Sequence, residues 1–271
     1  MKKVADIEVP TKVNESVDIQ SLLFSKASRC LVANSIPTVY EGDGVSGIVF
    51  DENARKLPTA ALENGLILDI SAAEILSGRG IDVGLKKING PLSDISGSII
   101  AGIEERFLHN DNYISIIGAS IYDIAIKEGA EVLSDIGING RRIPISYRYE
   151  NADGNRFFVL NVNSRTDKSS MLKHYARGRQ IAESIEWLSG KKLPAYAYGH
   201  PSLYIQCKQN ELSMSVGLWN FFADTAIDPV IELGEEYSSI KFINCDGRLE
   251  KDKIYLSDIN PFTFAGLEVF K

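Results

Sequence analysis

Short apolar runs bounded by turn residues constrain this chain more than any other feature of its sequence. Cys30-Leu31-Val32-Ala33, Gly47-Ile48-Val49-Phe50 and Leu66-Ile67-Leu68-Asp69 are too brief for independent helices and lack polar alternation. Runs of this kind, with helix-compatible stretches between them, predict strands buried on both faces in a parallel or mixed sheet. A fourth strand is expected near residues 113–118. Between the second and third runs, Ala54 to Asn64 predicts a short helix, with Gly65 just past its end. After the third run, Ser71-Ala72-Ala73-Glu74 has the spacing of a capping box, in which serine and glutamate side chains satisfy reciprocal backbone donors. The helix it opens is expected to close at Gly78 or Gly80 and to pack on one face of the sheet.

Further along, Ile143 to Tyr149 and Arg156 to Val162 flank Asn151-Ala152-Asp153-Gly154-Asn155. Asp-Gly between two strand-like runs predicts a hairpin. Apolar residues at three- and four-residue steps then predict a helix from about Lys168 to Leu188. Beyond Gly190 and Pro194 the texture changes to a succession of short strands, among them Ser202 to Cys207, Leu212 to Trp219, Ile240 to Asn244 and Phe262 to Phe270. That pattern predicts a small β-sandwich. The expected class is therefore α/β followed by all-β, with a first domain over residues 1–190 and a second over 191–271.

Acidic residues outnumber basic ones, 36 to 29, for a formal net charge of −7. Lys and Arg occur at most as pairs, which argues against a nucleic-acid partner. No apolar run reaches the length of a membrane-spanning helix, and no signal-peptide core follows Met1-Lys2-Lys3, so a cytoplasmic address is expected. Cys30, Cys207 and Cys245 form neither a disulfide framework nor a zinc spacing and are read as small core residues.

The catalytic motifs fail on inspection. Gly42-Asp43-Gly44-Val45-Ser46-Gly47 matches a dinucleotide-binding pattern but runs into a strand, where helix amides are needed to hold a pyrophosphate. Ser170-Met171-Leu172-Lys173 and Ser238-Ser239-Ile240-Lys241 have the spacing of a serine–lysine pair without its companion motifs. Asp224-Thr225-Ala226 lacks the glycine of an aspartic-protease turn. His109, His174 and His200 stand at no metal or triad spacing, and no cofactor or metal is expected. Glu104, Glu105, Asp224 and Asp228 are the carboxylates from which an acid–base pair would be drawn. Aromatic residues crowd the start of the second domain: Tyr196, Tyr198, Tyr204, Trp219, Phe221 and Phe222. They serve either a sandwich core or sugar stacking, and Tyr198 and Trp219 are the sugar-contact candidates.

Two stretches resemble a known family. Gly65-Leu66-Ile67-Leu68-Asp69-Ile70-Ser71-Ala72-Ala73-Glu74-Ile75-Leu76, with Arg79-Gly80-Ile81, is similar to a segment of bacterial β-galactosidase-type glycoside hydrolases. Ser215-Val216-Gly217-Leu218-Trp219-Asn220, with Asp224, Asp228-Pro229-Val230 and Ile259-Asn260-Pro261-Phe262, is similar to the small β-domain that closes such chains. The resemblance implies an amidotransferase-like (flavodoxin-like) layered α/β domain followed by that β-domain, both outside the catalytic barrel. Cys30 lacks the glycine-flanked elbow of a working amidotransferase, so no catalytic residue carries over. The implied role is a non-catalytic accessory or oligomerisation region whose partner is a catalytic domain or another copy of the chain. A free-standing glycan hydrolase and a sugar-binding module without chemistry remain the alternatives.

Overall fold

The computed structural model describes residues 11–13, 26–39, 46–92, 103–110, 112–116, 119–166, 172, 174–198, 200 and 203–271. Along the chain, β1 (Thr11–Val13), helix α1 (Lys26–Ala33), β2 (Thr38–Val39) and β3 (Ser46–Val49) are followed by two 3₁₀ turns, Asp51–Lys56 and Thr59–Leu62. Next come β4 (Leu66–Asp69), α2 (Ile70–Gly78), β5 (Leu85–Pro91), β6 (Ile103–Phe107), β7 (Tyr113–Ile116) and β8 (Tyr122–Ile126). β9 (Glu131–Ile138), β10 (Arg141–Glu150), β11 (Arg156–Leu160) and α3 (Tyr175–Ser189) complete this part.

A nine-stranded sheet of order β2-β1-β3-β4-β11-β10-β9-β6-β7 dominates it. The half from β2 to β11 is parallel and the half from β11 to β7 is antiparallel. Every residue of β3 and β4 is buried, which is why these strands read as unbroken apolar runs. Period-two alternation sends Ile48, Ile67, Phe158 and Leu160 to the face covered by α1 and α3. Val49, Leu66, Leu68, Phe157 and Val159 go to the face covered by α2 and the 3₁₀ turns, together with residues of the separate β5–β8 pair. The layered α/β arrangement is thus confined to the central strands. The structure is mixed and mostly β, and an amidotransferase-like layered domain is not confirmed, because β6, β7, β9 and β10 pair as neighbouring antiparallel strands instead of crossing over through helices.

Local expectations divide in the same way. The strands at 47–50 and 66–69 and the 151–155 hairpin are present, and the helix expected from about Lys168 to Leu188 is observed as Tyr175–Ser189, capped by Gly190. In the hairpin turn, Asn151 Oδ1 accepts from the N–H groups of Asp153 and Asn155. Residues 167–171 and 173, and with them most of the first Ser-x-x-Lys motif, lie outside the described residues, as do 42–45 and 117–118. Cys30 to Ala33 is helix rather than strand, since Ala27, Cys30 and Leu31 share one buried face at helical spacing. The helix expected over 54–64 is split at Pro58, whose ring excludes a helical conformation at Leu57. Arg79 ties the first of these 3₁₀ turns to α2 by donating to the carbonyls of Ala54 and Leu57.

The capping residue of α2 is Asp69 rather than Ser71. Its Oδ1 accepts from Ala72 N–H at 2.8 Å and Asp51 N–H at 2.9 Å, and its Oδ2 accepts from Ser164 Oγ at 2.6 Å and Ser164 N–H at 3.1 Å. One carboxylate therefore gathers the ends of β3, β4 and the segment after β11.

The remaining strands form two four-stranded sheets. β12 (Ala195–Tyr198), β15 (Val230–Leu233), β18 (Lys253–Leu256) and β17 (Gly247–Glu250) make one, in the order β12-β15-β18-β17. β13 (Leu203–Gln209), β14 (Ser213–Asn220), β19 (Phe264–Phe270) and β16 (Ser239–Ile243) make the other. Their inner faces share one core, with Ala195, Ile231 and Ile254 on one side and Ile205, Val216 and Leu267 on the other. β12 serves two cores, because Tyr196 points back into the one beneath α3. No helix among the described residues is long and apolar enough to cross a membrane.

Candidate functional site

The outward face of the β13-β14-β19-β16 sheet carries the most distinctive cluster of side chains. Alternation buries Leu203, Ile205 and Cys207 and turns Tyr204 and Gln206 outward. On β14 the outward residues include Gly217 and Trp219, and on β19 Phe264 and Gly266, with Ser215 and Glu268 paired further along the same face. Register then sets Tyr204 opposite Trp219, and Trp219 opposite Phe264. The ring centroids lie 5.5 Å and 5.0 Å apart, tilted by 46° and 47°. Phe221 stacks on Tyr204 at 5.8 Å and 29°. These are the offset and tilted geometries that aromatic quadrupoles favour.

Two glycines make room for the rings. A Cβ on Gly217 would sit 2.7 Å from the Trp219 ring, and one on Gly266 would sit 3.2 Å from Phe264. Both rings therefore lie down along their strands over bare backbone. Gln206 Nε2 fixes the near end by donating to Tyr204 Oη at 2.6 Å and to the Thr38 carbonyl at 3.3 Å, linking this face to the N-terminal part. At the far end Asn220, itself buried, donates to the carbonyls of Asp224 and Ile259 and accepts from Phe222 N–H. Phe221 is 59% exposed and Phe264 37%. Beside Phe264 opens a shallow cavity of about 360 Å³ lined also by Asn244, Asp258, Ile259, Asn260 and Thr263.

Of the two sugar-contact candidates, Trp219 stands at the centre of this row, whereas the side chain of Tyr198 lies outside the described residues. Tyr204 and Phe221 join Trp219, while Tyr196 is buried. Phe264 was not singled out by its sequence, because only the pairing of β14 with β19 brings it beside Trp219.

The carboxylate candidates do not converge. Glu104 and Glu105 are consecutive on β6 and so face opposite ways: Glu104 is exposed, Glu105 fully buried. Arg177 Nη2 donates to both Glu105 carboxylate oxygens at 2.5 Å, its guanidinium lies 5.0 Å from the Phe107 ring centroid, and Gln180 accepts from Nη1. Both members of this pair are fully buried, and Arg177 occupies the Glu105 carboxylate. Asp224 and Asp228 are exposed in the loop after β14. Asp69 is buried and pushed above the ordinary carboxylate range by desolvation, against the pull of its four donors.

The other motif residues have structural partners. Ser238 donates to the Phe270 carbonyl, His174 caps α3 by accepting from Ala176 N–H, and His109 pairs with Glu131. Burial pushes the Cys30 thiol up to about 12 and raises Cys207 further. Among the described residues no group of three or more His, Cys, Asp or Glu side chains is placed to hold a metal ion.

No protein-family model and no curated protein matches this sequence. Solved structures do. An α-L-fucosidase isoenzyme 2 from Paenibacillus thiaminolyticus superposes with a TM-score of 0.60 at 9% identity, over 98% of this chain and 49% of its own. A β-galactosidase from Bacillus circulans sp. alkalophilus gives 0.51 at 12% identity, over 97% of this chain and 42% of its own. Gan42B, a GH42 β-galactosidase from G. stearothermophilus, gives 0.50 at 10%, over 98% and 41%. The fold is shared with part of each of these hydrolases. The chain spans about half the length of the fucosidase and about two fifths of the two galactosidases.

Proposed function

We propose that this chain is a non-catalytic accessory region of a glycoside-hydrolase-like, carbohydrate-active protein, with domains at residues 1–190 and 191–271. It acts by packing against a catalytic domain or another copy of itself. The observation that carries this reading is the superposition of 98% of the chain on only 49% of a fucosidase. The state of its carboxylates supports it, since Glu105 is locked by Arg177 and Glu104 points away from it. The test is a screen of the purified chain on aryl α-L-fucosides and β-D-galactosides, together with its mass in solution. No turnover and a mass above that of one chain are expected. Turnover abolished by Glu104→Ala, Asp224→Ala or Asp228→Ala overturns the proposal in favour of a hydrolase.

A second reading, a sugar-binding module, is favoured by one specific observation. The Tyr204–Trp219–Phe264 row is held rigidly over glycine backbone beside a polar cavity.

A further inference from the structure

We infer that the outward face of the β13-β14-β19-β16 sheet is a binding site for a neutral hexose oligosaccharide. Trp219, Tyr204 and Phe264 supply the stacking surface, and Asn244, Asn260 and Thr263 supply the groups that meet sugar hydroxyls. The inference rests on the second reading above and deepens it by naming the ligand class and the residues.

Three features converge on a sugar. First, the ring faces turned away from the backbone are the outward ones, because Trp219 and Phe264 lie over Gly217 and Gly266. The apolar C–H face of a pyranose needs such a surface, and rings spaced at 5.0 Å and 5.5 Å along a row match successive rings of an oligosaccharide in size. Second, the row runs into a cavity whose lining alternates from Phe264 to two carboxamides, a hydroxyl and the Asp258 carboxylate. A ligand that presents apolar faces and hydroxyls on the same ring satisfies both halves at once. A protein partner burying this face would desolvate those amides and the carboxylate, at a cost unless each found its own hydrogen bond. Third, the cavity lining holds no cation and its one charge is negative, while the outward Lys208 and Lys241 stand on other strands and do not line it. An acidic sugar seated in the cavity meets the Asp258 charge.

The platform is also preorganised. Gln206 holds Tyr204, and Asn220 holds the loop that carries Phe221. Little side-chain freedom is lost on binding.

The experiment uses tryptophan emission. The chain has two tryptophans, and Trp187 is stacked between Arg148 and Arg156, away from this sheet. In a Trp187→Phe background Trp219 is the sole reporter. The full chain is titrated with neutral gluco-, galacto- and manno-oligosaccharides, and with oligogalacturonate as the anionic counterpart.

A saturable change in emission is expected with at least one neutral series, and oligogalacturonate should bind at least about tenfold more weakly. Phe264→Ala and Asn260→Ala should each weaken the neutral probe about tenfold, with the circular dichroism spectrum of the folded chain retained. Absence of a saturable change with all three neutral series overturns the inference. So does equal affinity in Phe264→Ala, or a face occupied by a second copy, seen as self-association lost in Phe221→Asp. Saturation by oligogalacturonate alone would overturn the neutral ligand class and leave the sugar-binding reading standing, whereas no saturable change with any probe overturns both.

Discussion

Arg177→Met tests the energetics of the part that the sequence least reveals. The substitution keeps the length of the side chain in α3 but leaves the Glu105 carboxylate fully buried, without the cation that donates to both its oxygens. It also removes the donor to Gln180 and the stacking on Phe107. Breaking a buried ion pair by deleting one partner costs about 3–5 kcal/mol. Against a total stability of roughly 5–15 kcal/mol this is a large fraction. It corresponds to a fall in melting temperature of about 10 °C for a protein of this size.

Urea unfolding followed by far-ultraviolet circular dichroism measures the change. The double substitution Glu105→Leu with Arg177→Met should recover most of the loss, because an apolar pair needs no desolvation. A cost below about 1 kcal/mol for Arg177→Met would refute the reasoning, since that is the scale of an exposed pair. Losses that simply add in the double variant would refute it equally, because groups in direct contact must couple.

Two further outcomes follow from side chains that anchor backbone. His174 caps α3 through its neutral ring, and burial, then the nearby Arg177 charge, lowers its pKa below the ordinary histidine value. The unfolded chain therefore binds the proton more readily. Its contribution is complete above about pH 6.5 and is lost as pH falls through the lowered value. A pH series of urea midpoints should show this slope, and His174→Asn, which caps without titrating, should flatten it. Asn220→Ala removes three hydrogen bonds from the loop beside the aromatic row and should cost about 2–3 kcal/mol. Urea unfolding again reads the loss, and a red shift of Trp219 emission in the folded variant should report the loosened face.

What was legible in the sequence was what local pattern controls. β3 and β4 announce themselves because burial on both faces removes every polar residue from their cores, and Asp153-Gly154 marks its hairpin because Gly154 takes φ of +81°. Cys30 to Ala33 is ambiguous in the sequence because so short an apolar run fits a strand and a helix equally, and only the distant surfaces that cover Cys30 and Leu31 decide. Asp69 and Ser71 are both competent caps. The choice falls on Asp69 through its bonds to Asp51 and Ser164, which no window around residue 70 contains. The same holds for the functional face. Trp219 could be picked from composition, but its neighbour Phe264 depends on strand register, and the locking of Glu105 depends on an arginine 72 positions away.

The position of β11 beside β4 has a consequence for how the protein is made. β3 and β4 meet early in synthesis, but the other edge of β4 pairs with Phe157 to Leu160, and Asp69 waits for Ser164, 95 residues later. At about 5–20 residues per second, the unpaired edge of β4 leaves the ribosome roughly 5–20 s before its permanent neighbour. During that interval it is an open strand edge, the kind of surface on which nascent chains cross-pair. The central sheet therefore cannot close in the order in which it is translated, and its completion is tied to the emergence of the segment around Ser164.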